Sequence, residues 1–176
     1  MSTLLTPLEV YLSKSFEPDC EFIDGQLVER HVGEYYHSLL QSLLTTHINN
    51  LRSQYGPKFR AFTEQRLRVS DRLYRIPDVC VLEAGHKRTS VIMEPPVVTV
   101  EILSPDDTLA ATIQKCRDYL NFGVRHVWIA DPRQRTISEV SSQGNHPIVN
   151  RVAVFTTANM RVEVDFDSIF DEMDRD

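Results

Sequence analysis

Three observations predict an α/β fold. Two near-continuous apolar runs, Tyr74 to Leu82 and Val97 to Leu103, have the composition of strands covered on both faces. A stretch from Asp107 to Phe122 then places Leu109, Ile113, Cys116 and Leu120 at helical spacing, with Gly123 positioned to end it. A third strand, His126 to Ala130, closes at Asp131-Pro132. Strand, helix, strand in that order calls for a right-handed parallel crossover.

The remaining elements are placed around this centre. Thr6, Pro7 and Glu9 have the spacing of a capping box with proline at the first helical position, which predicts a short opening helix. Two short runs between Cys20 and Glu29 are joined by Asp24-Gly25, the signal for a tight hairpin. From Gly33 to Gln54, Tyr36, Leu39, Leu40, Leu43, Leu44, Ile48 and Leu51 recur at three- and four-residue spacing, a long helix that leaves His37, Gln41, Asn49 and Asn50 on its flanks. Arg60 to Val69 is expected to be extended, with a turn at Ser70-Asp71. Thr136 to Val140 and Val149 to Thr156 are expected as further strands of the same sheet.

The chain has 176 residues, 41% of them hydrophobic and 25% charged, which suits one globular domain over residues 1–176 and argues against a disordered chain. Its net charge of −6 is unevenly spread. Residues 163–176 form an acidic C-terminal segment with seven acids and one base, whereas residues 52–88 hold nine bases and four acids. An acidic average thus conceals a basic segment. No apolar run approaches the roughly 20 residues of a membrane span, and Met1 to Leu12 lacks the pattern of a secretory leader. Cys20, Cys80 and Cys116 form no CxxC pair, as expected of reduced core thiols in a cytoplasmic protein.

Two acids interrupt the apolar strands. An ionised carboxylate there costs several kcal/mol unless it is paired, hydrogen-bonded or bound to metal. Alternation puts Asp78 with Ile76 and Cys80, and Glu101 with Thr99 and Leu103, so neighbouring strands would let the two acids converge. Converging oxygen ligands suit a hard divalent cation. The alternative is simple pairing with a nearby arginine, Arg75 or Arg68. Pro77 removes a ladder donor and marks an edge, a bulge or the beginning of a strand. Lys115 lies about 100° around the helix from Cys116, where it would stand as a solvated flank lysine or orient a water beside the acids. The histidines lack zinc spacing.

Pro77-Asp78, Glu101-Ile102-Leu103-Ser104-Pro105, Lys115, Tyr119, Gly123-Val124, Trp128-Ile129 and Asp131-Pro132 resemble the putative restriction endonuclease family, long classed as a domain of unknown function within the PD-(D/E)XK nuclease superfamily. The Glu21 to Val28 hairpin and the following helix with His37 match the family's opening, so the resemblance runs from Thr6 to Phe170. It implies a restriction-endonuclease-like mixed sheet flanked by helices. It further implies Mg²⁺-dependent cleavage of DNA phosphodiester bonds, with Mn²⁺ as a substitute. Asp78, Glu101 and the carbonyl of Ile102 would hold the metal, and Lys115 would position water. The superfamily lysine normally stands two residues after the second acid, where this chain has Leu103. In this family it has moved to the following helix, where Lys115 stands. Another acidic or polar position four residues before that lysine is common in the family, and here Ala111 occupies it. Glu21 or Glu34 would serve as an additional N-terminal acid, with His37 nearby.

The basic segment offers Arg60, Arg66, Arg68 and Arg75 as contacts for DNA phosphates, or as partners of the acids in residues 1–51. Two other functions remain open: a catalytically silent nucleic-acid-binding or assembly module on the same fold, and a metal-dependent hydrolase of small phosphoesters. Resemblance alone suggests a homodimer, since nucleases of this kind often pair to cut both strands.

Overall fold

The computed structural model describes residues 6–30 and 33–175. Helix α1 (Leu8–Ser13) begins after Pro7 without a side-chain cap, so the expected capping box is not made. The Thr6 N–H instead donates to the carbonyl of Gly25 (2.7 Å), which ties the residue before Pro7 to the first hairpin. That hairpin joins β1 (Cys20–Ile23) to β2 (Gln26–Glu29). Asp24 and Gly25 sit at φ 50° and 88°, the left-handed pair a two-residue turn needs.

The long helix is broken into α2 (Tyr35–Asn50) and the single turn α3 (Arg52–Tyr55). Its buried face carries His37, Leu40, Leu44 and Ile48, and Tyr36 is half-exposed. Two contacts explain this rotation of the stripe. His37 has a carboxylate partner inside the protein, and Tyr36 packs edge-on against Tyr35 beneath the Arg133 guanidinium.

Strands β3 (Phe59–Thr63), β4 (Leu67–Ser70), β5 (Leu73–Arg75) and β6 (Val79–Glu83) follow. The run from Tyr74 to Leu82, expected as one strand, is therefore two strands in two different sheets. Pro77 has no N–H to give a ladder, and the Ile76 N–H donates to the Glu21 carboxylate (2.9 Å) rather than to a strand. Next come β7 (Val98–Ile102), α4 (Leu109–Phe122) and β8 (His126–Asp131), and β7 and β8 pair in parallel as expected. Thr108 caps α4, accepting from the Ala111 N–H, and Gly123 ends it at φ 105°. A Cβ at Gly123 would also come within 3.2 Å of Pro95. The buried residues of α4 are Thr112, Cys116 and Tyr119, and Leu109, expected in the apolar stripe, is exposed.

Strands β9 (Thr136–Ser141) and β10 (Gly144–Pro147) complete a six-stranded sheet of order β10-β9-β8-β7-β6-β3. A second sheet has the order β2-β1-β5-β4. β11 (Val152–Thr157) does not extend the large sheet as expected: it pairs only with β12 (Met160–Asp165), and α5 (Phe166–Met173) follows. One core gathers α2, α5 and the β11–β12 hairpin on Trp128, Phe155 and Phe59, and a second packs α4 on Cys80, Val127 and Ile129.

The acidic C-terminal segment is thus a strand and a helix with an apolar face. Phe166, Ile169, Phe170 and Met173 are buried. Asp165 caps α5 by accepting from the N–H groups of Asp167 and Ser168, Asp167 pairs with Arg151, and Asp171 and Asp174 pair with Arg135. Charge counting missed this because the acids occupy the outward positions of an amphipathic pattern. Among the described residues, no helix is long and apolar enough to cross a membrane.

Phe170→Ala is expected to cost about 3–5 kcal/mol in urea unfolding, the usual loss for a fully buried phenylalanine. An unchanged midpoint would detach α5 from the core.

Candidate active site

The crossover from β5 to β6 is where the sheets meet, and its residues Ile76, Pro77 and Asp78 carry the site. Strand β6 runs antiparallel to β7 with Val79 opposite Val100, and one step further along that register Asp78 stands opposite Glu101. Opposed residues share a face of the sheet. Both acids line a cleft of about 380 Å³ together with Glu21, Arg30, His37, Ile102 and Lys115.

Asp78 is buried. Its Oδ1 accepts from Arg30 (2.8 Å), while Oδ2 accepts from the Ile102 N–H (2.7 Å) and lies 3.2 Å from His37 Nε2. Burial alone would raise its pKa. The His37 hydrogen bond, the Lys115 charge and the Ile102 N–H outweigh it and hold the carboxyl below its ordinary value. His37 is raised in turn, because its bond to Asp78 outweighs desolvation. The α2 side chain Gln41 donates to the Asp78 carbonyl (2.9 Å), so this helix grips both the backbone and the side chain of the acid.

Glu101 is also buried, with Tyr119 OH donating to Oε1 (2.7 Å) and Lys115 Nζ to Oε2 (2.9 Å). Here burial wins over Lys115 and pushes the carboxyl up to about 7. Lys115 also lies 3.0 Å from Glu21 Oε1 and donates to the Ile76 carbonyl (3.0 Å). Burial works against its charge, but Glu101 and Glu21 hold it protonated and raise its pKa. Glu21 binds Arg75 (2.6 Å), and Arg75 reaches on to Asp118 (2.6 Å).

The structure therefore brings together Asp78, Glu101, Ile102, Lys115, Glu21 and His37. Glu34 does not join them: it pairs with Arg133 at the start of α2 (2.8 Å). Neither proposed arginine neutralises Asp78. Arg75 is committed to Glu21 and Asp118, and Arg68 to Asp71 (2.5 Å). Arg66 lies over the Tyr11 ring, 4.2 Å from its centroid, and 3.9 Å from Asp19, so of the four suggested phosphate contacts Arg60 alone is exposed and without an acid partner among the described residues. Arg30 was not legible beforehand, because it follows the hairpin in no recognisable pattern. Tyr119 was legible, since it stands four residues after Lys115 and so on the same face of α4.

The site fits a hard divalent cation. Its donors are all oxygens, two carboxylates face each other across adjoining strands, and Mg²⁺ commonly takes one or two carboxylates and keeps its waters. Among the described residues there is no cluster of three or more His, Cys, Asp or Glu side chains arranged to hold a metal.

Comparison with known proteins gives the family and the fold. A family model described as "Uma2: Putative restriction endonuclease" matches residues 8–163. The chain belongs to the Uma2 family. A crystal structure of a putative nuclease of the DUF820 group from Anabaena variabilis superposes with a TM-score of 0.78 at 21% identity, covering 96% of this chain and 98% of that one, and so shares the Uma2 chain's fold. A DrdV–DNA complex overlaps more weakly, with a TM-score of 0.38 and 13% identity over 77% of this chain and 13% of that chain. No curated protein matches the Uma2 chain described here.

The raised Glu101 pKa has a consequence for stability. Between 4.5 and about 7 the folded protein keeps a proton that the unfolded chain has released, so stability falls as pH rises through that window. His37, raised above 6.5, extends the fall upward. In metal-free protein, Glu101→Gln is expected to flatten the decline of the thermal midpoint with pH. A variant with the wild-type slope would contradict the assignment.

Proposed function

We propose that this Uma2 chain is a Mg²⁺-dependent endonuclease that hydrolyses DNA phosphodiester bonds, with Mn²⁺ able to substitute. The observation that carries this reading is the convergence of Asp78 and Glu101 on one cleft with Lys115 beside them, in a chain of a restriction endonuclease family. Asp78, Glu101 and the carbonyl of Ile102 are the groups that would hold the cation. When bound, it supplies Lewis-acid stabilisation of the charge that grows on phosphorus oxygens.

The protein's own residues do the rest. Lys115 is fixed by three oxygens, those of Ile76, Glu21 and Glu101, and is kept protonated. It therefore acts as a hydrogen-bond donor that orients water and offsets developing negative charge, and not as a base. Tyr119 fixes the rotamer of Glu101 through its hydroxyl. His37 and Gln41 hold Asp78 from α2, and Arg30 neutralises it from the hairpin side. Metal would have to share or replace the Arg30 contact. Cleavage of both strands of a duplex by a single-site chain implies a homodimer, and three free, buried thiols suit a reducing cytoplasm.

A second reading has its own support. Every carboxylate oxygen of Asp78 and Glu101 already has a partner within the chain, which is also how a catalytically silent binding module would bury two acids. Supercoiled plasmid incubated with Mg²⁺, Mn²⁺ or EDTA separates the two. Metal-dependent nicking is expected for wild type, its loss in Asp78→Ala, and a drop of about 10²-fold or more in Lys115→Gln, with folding checked by circular dichroism. Nicking that persists unchanged in Asp78→Ala, or none in wild type, would reject the nuclease.

A further inference from the structure

Among the described residues, seven lysines and arginines have no acid within 4.0 Å: Lys14 and Arg117 stand apart, and the other five are Arg52, Lys58, Arg60, Lys87 and Arg88. These five come from three separate stretches of chain, and the fold collects them in one place. Arg52, Arg60, Lys87 and Arg88 line a cavity of about 650 Å³ at the β3 edge of the large sheet, with Lys58 beside it. Among the described residues Glu83 is the one acid on its wall, and Glu83 is already held by Arg125 (3.3 Å) and by the Ala158 N–H (3.0 Å). Arg52 adds a second observation: its Nε is buried and has no acceptor. Leaving such a donor unsatisfied is costly, and an incoming oxyanion would relieve it.

The cavity also has a defined relation to the acids. Arg60 is paired in register with Leu82 on β6. Leu82, Cys80 and Asp78 alternate onto the same face, so Arg60 projects to the side of the sheet that carries Asp78. Four residues of strand separate Leu82 from Asp78, about 13 Å. Along a duplex axis that is about four base pairs.

We propose that this cavity binds the phosphate backbone of DNA at a distance from the acid pair. The proposal rests on the nuclease reading for its choice of polyanion. It assigns the backbone contact to Arg52, Lys58, Arg60, Lys87 and Arg88, and leaves Arg66, Arg68 and Arg75 to their structural partners. Concentrated positive charge in a chain of net charge −6 would favour one docking side over the rest of the surface, which repels the duplex.

Fluorescence anisotropy tests this, using a labelled duplex of about 20 base pairs in EDTA over a series of salt concentrations. Each lost phosphate contact lowers the slope of log affinity against log salt by about 0.9. The triple variant Arg60→Gln, Lys87→Gln, Arg88→Gln is therefore expected to lose roughly 2–3 from the wild-type slope. Lys14→Gln with Arg117→Gln, which removes unpaired cations outside the cavity, is expected to keep it. All five positions are at the surface or partly exposed, and circular dichroism confirms that each variant folds. An unchanged slope in the triple variant, an equal loss in the control, tighter binding to polyglutamate than to the duplex, or no binding by wild type would overturn the proposal. The outcomes are separable from the plasmid assay. Metal-dependent nicking with an unchanged slope would reject this cavity and leave the nuclease standing, and a lowered slope with nicking that survives Asp78→Ala would do the reverse.

Discussion

Two carboxylates buried opposite each other on adjoining strands set the terms for the rest of the molecule. Asp78 and Glu101 are both largely shielded from water, and like charges so placed repel strongly unless cations or hydrogen-bond donors surround them. The fold answers from every side. Arg30 arrives from the first hairpin, His37 from α2, Lys115 and Tyr119 from α4, and the Ile102 N–H from β7 itself. Glu21 and Arg75 then tie this cluster to the second sheet.

The same cluster solves a backbone problem. Between β5 and β6 the chain leaves one sheet for another through Ile76-Pro77-Asp78, where strand pairing does not satisfy all of its polar groups. The Ile76 N–H is taken by Glu21, the Ile76 carbonyl by Lys115, and the Asp78 carbonyl by Gln41 together with the Glu64 N–H. Buried backbone groups without partners are rare because they cost as much as a lost hydrogen bond. The residues that build the site therefore also hold the two sheets together, and substitutions here are expected to move stability and activity at once.

Much of this was legible in the sequence, for identifiable reasons. Apolar strands interrupted by single acids pointed to Asp78 and Glu101, and the strand-helix-strand order gave the parallel β7–β8 pair that places Lys115 above them. Local signals failed where a long-range partner decided the outcome. Pro77 could be read as a break but not as a change of sheet, since that depends on Glu21, fifty-five residues away. The stripe of α2 rotates toward His37 because of Asp78, and Arg30 has no periodicity to betray it. The acidic end looked like a tail because composition ignores direction, whereas Phe166, Ile169, Phe170 and Met173 share one helical face. Basic residues counted as one segment separate in space into structural partners such as Arg75 and a free group around Arg60.

On the proposed nuclease reading, a divalent ion takes over the Asp78–Glu101 pair that the chain's own cations hold here. Calorimetric titration of Mn²⁺ into the protein without DNA addresses it directly. Saturable binding is expected in wild type, at least about tenfold weaker binding in Asp78→Asn and in Glu101→Gln, and tighter binding in Arg30→Gln, where the competing guanidinium is gone. Equal binding by all four proteins, or none by wild type and Arg30→Gln alike, would contradict it.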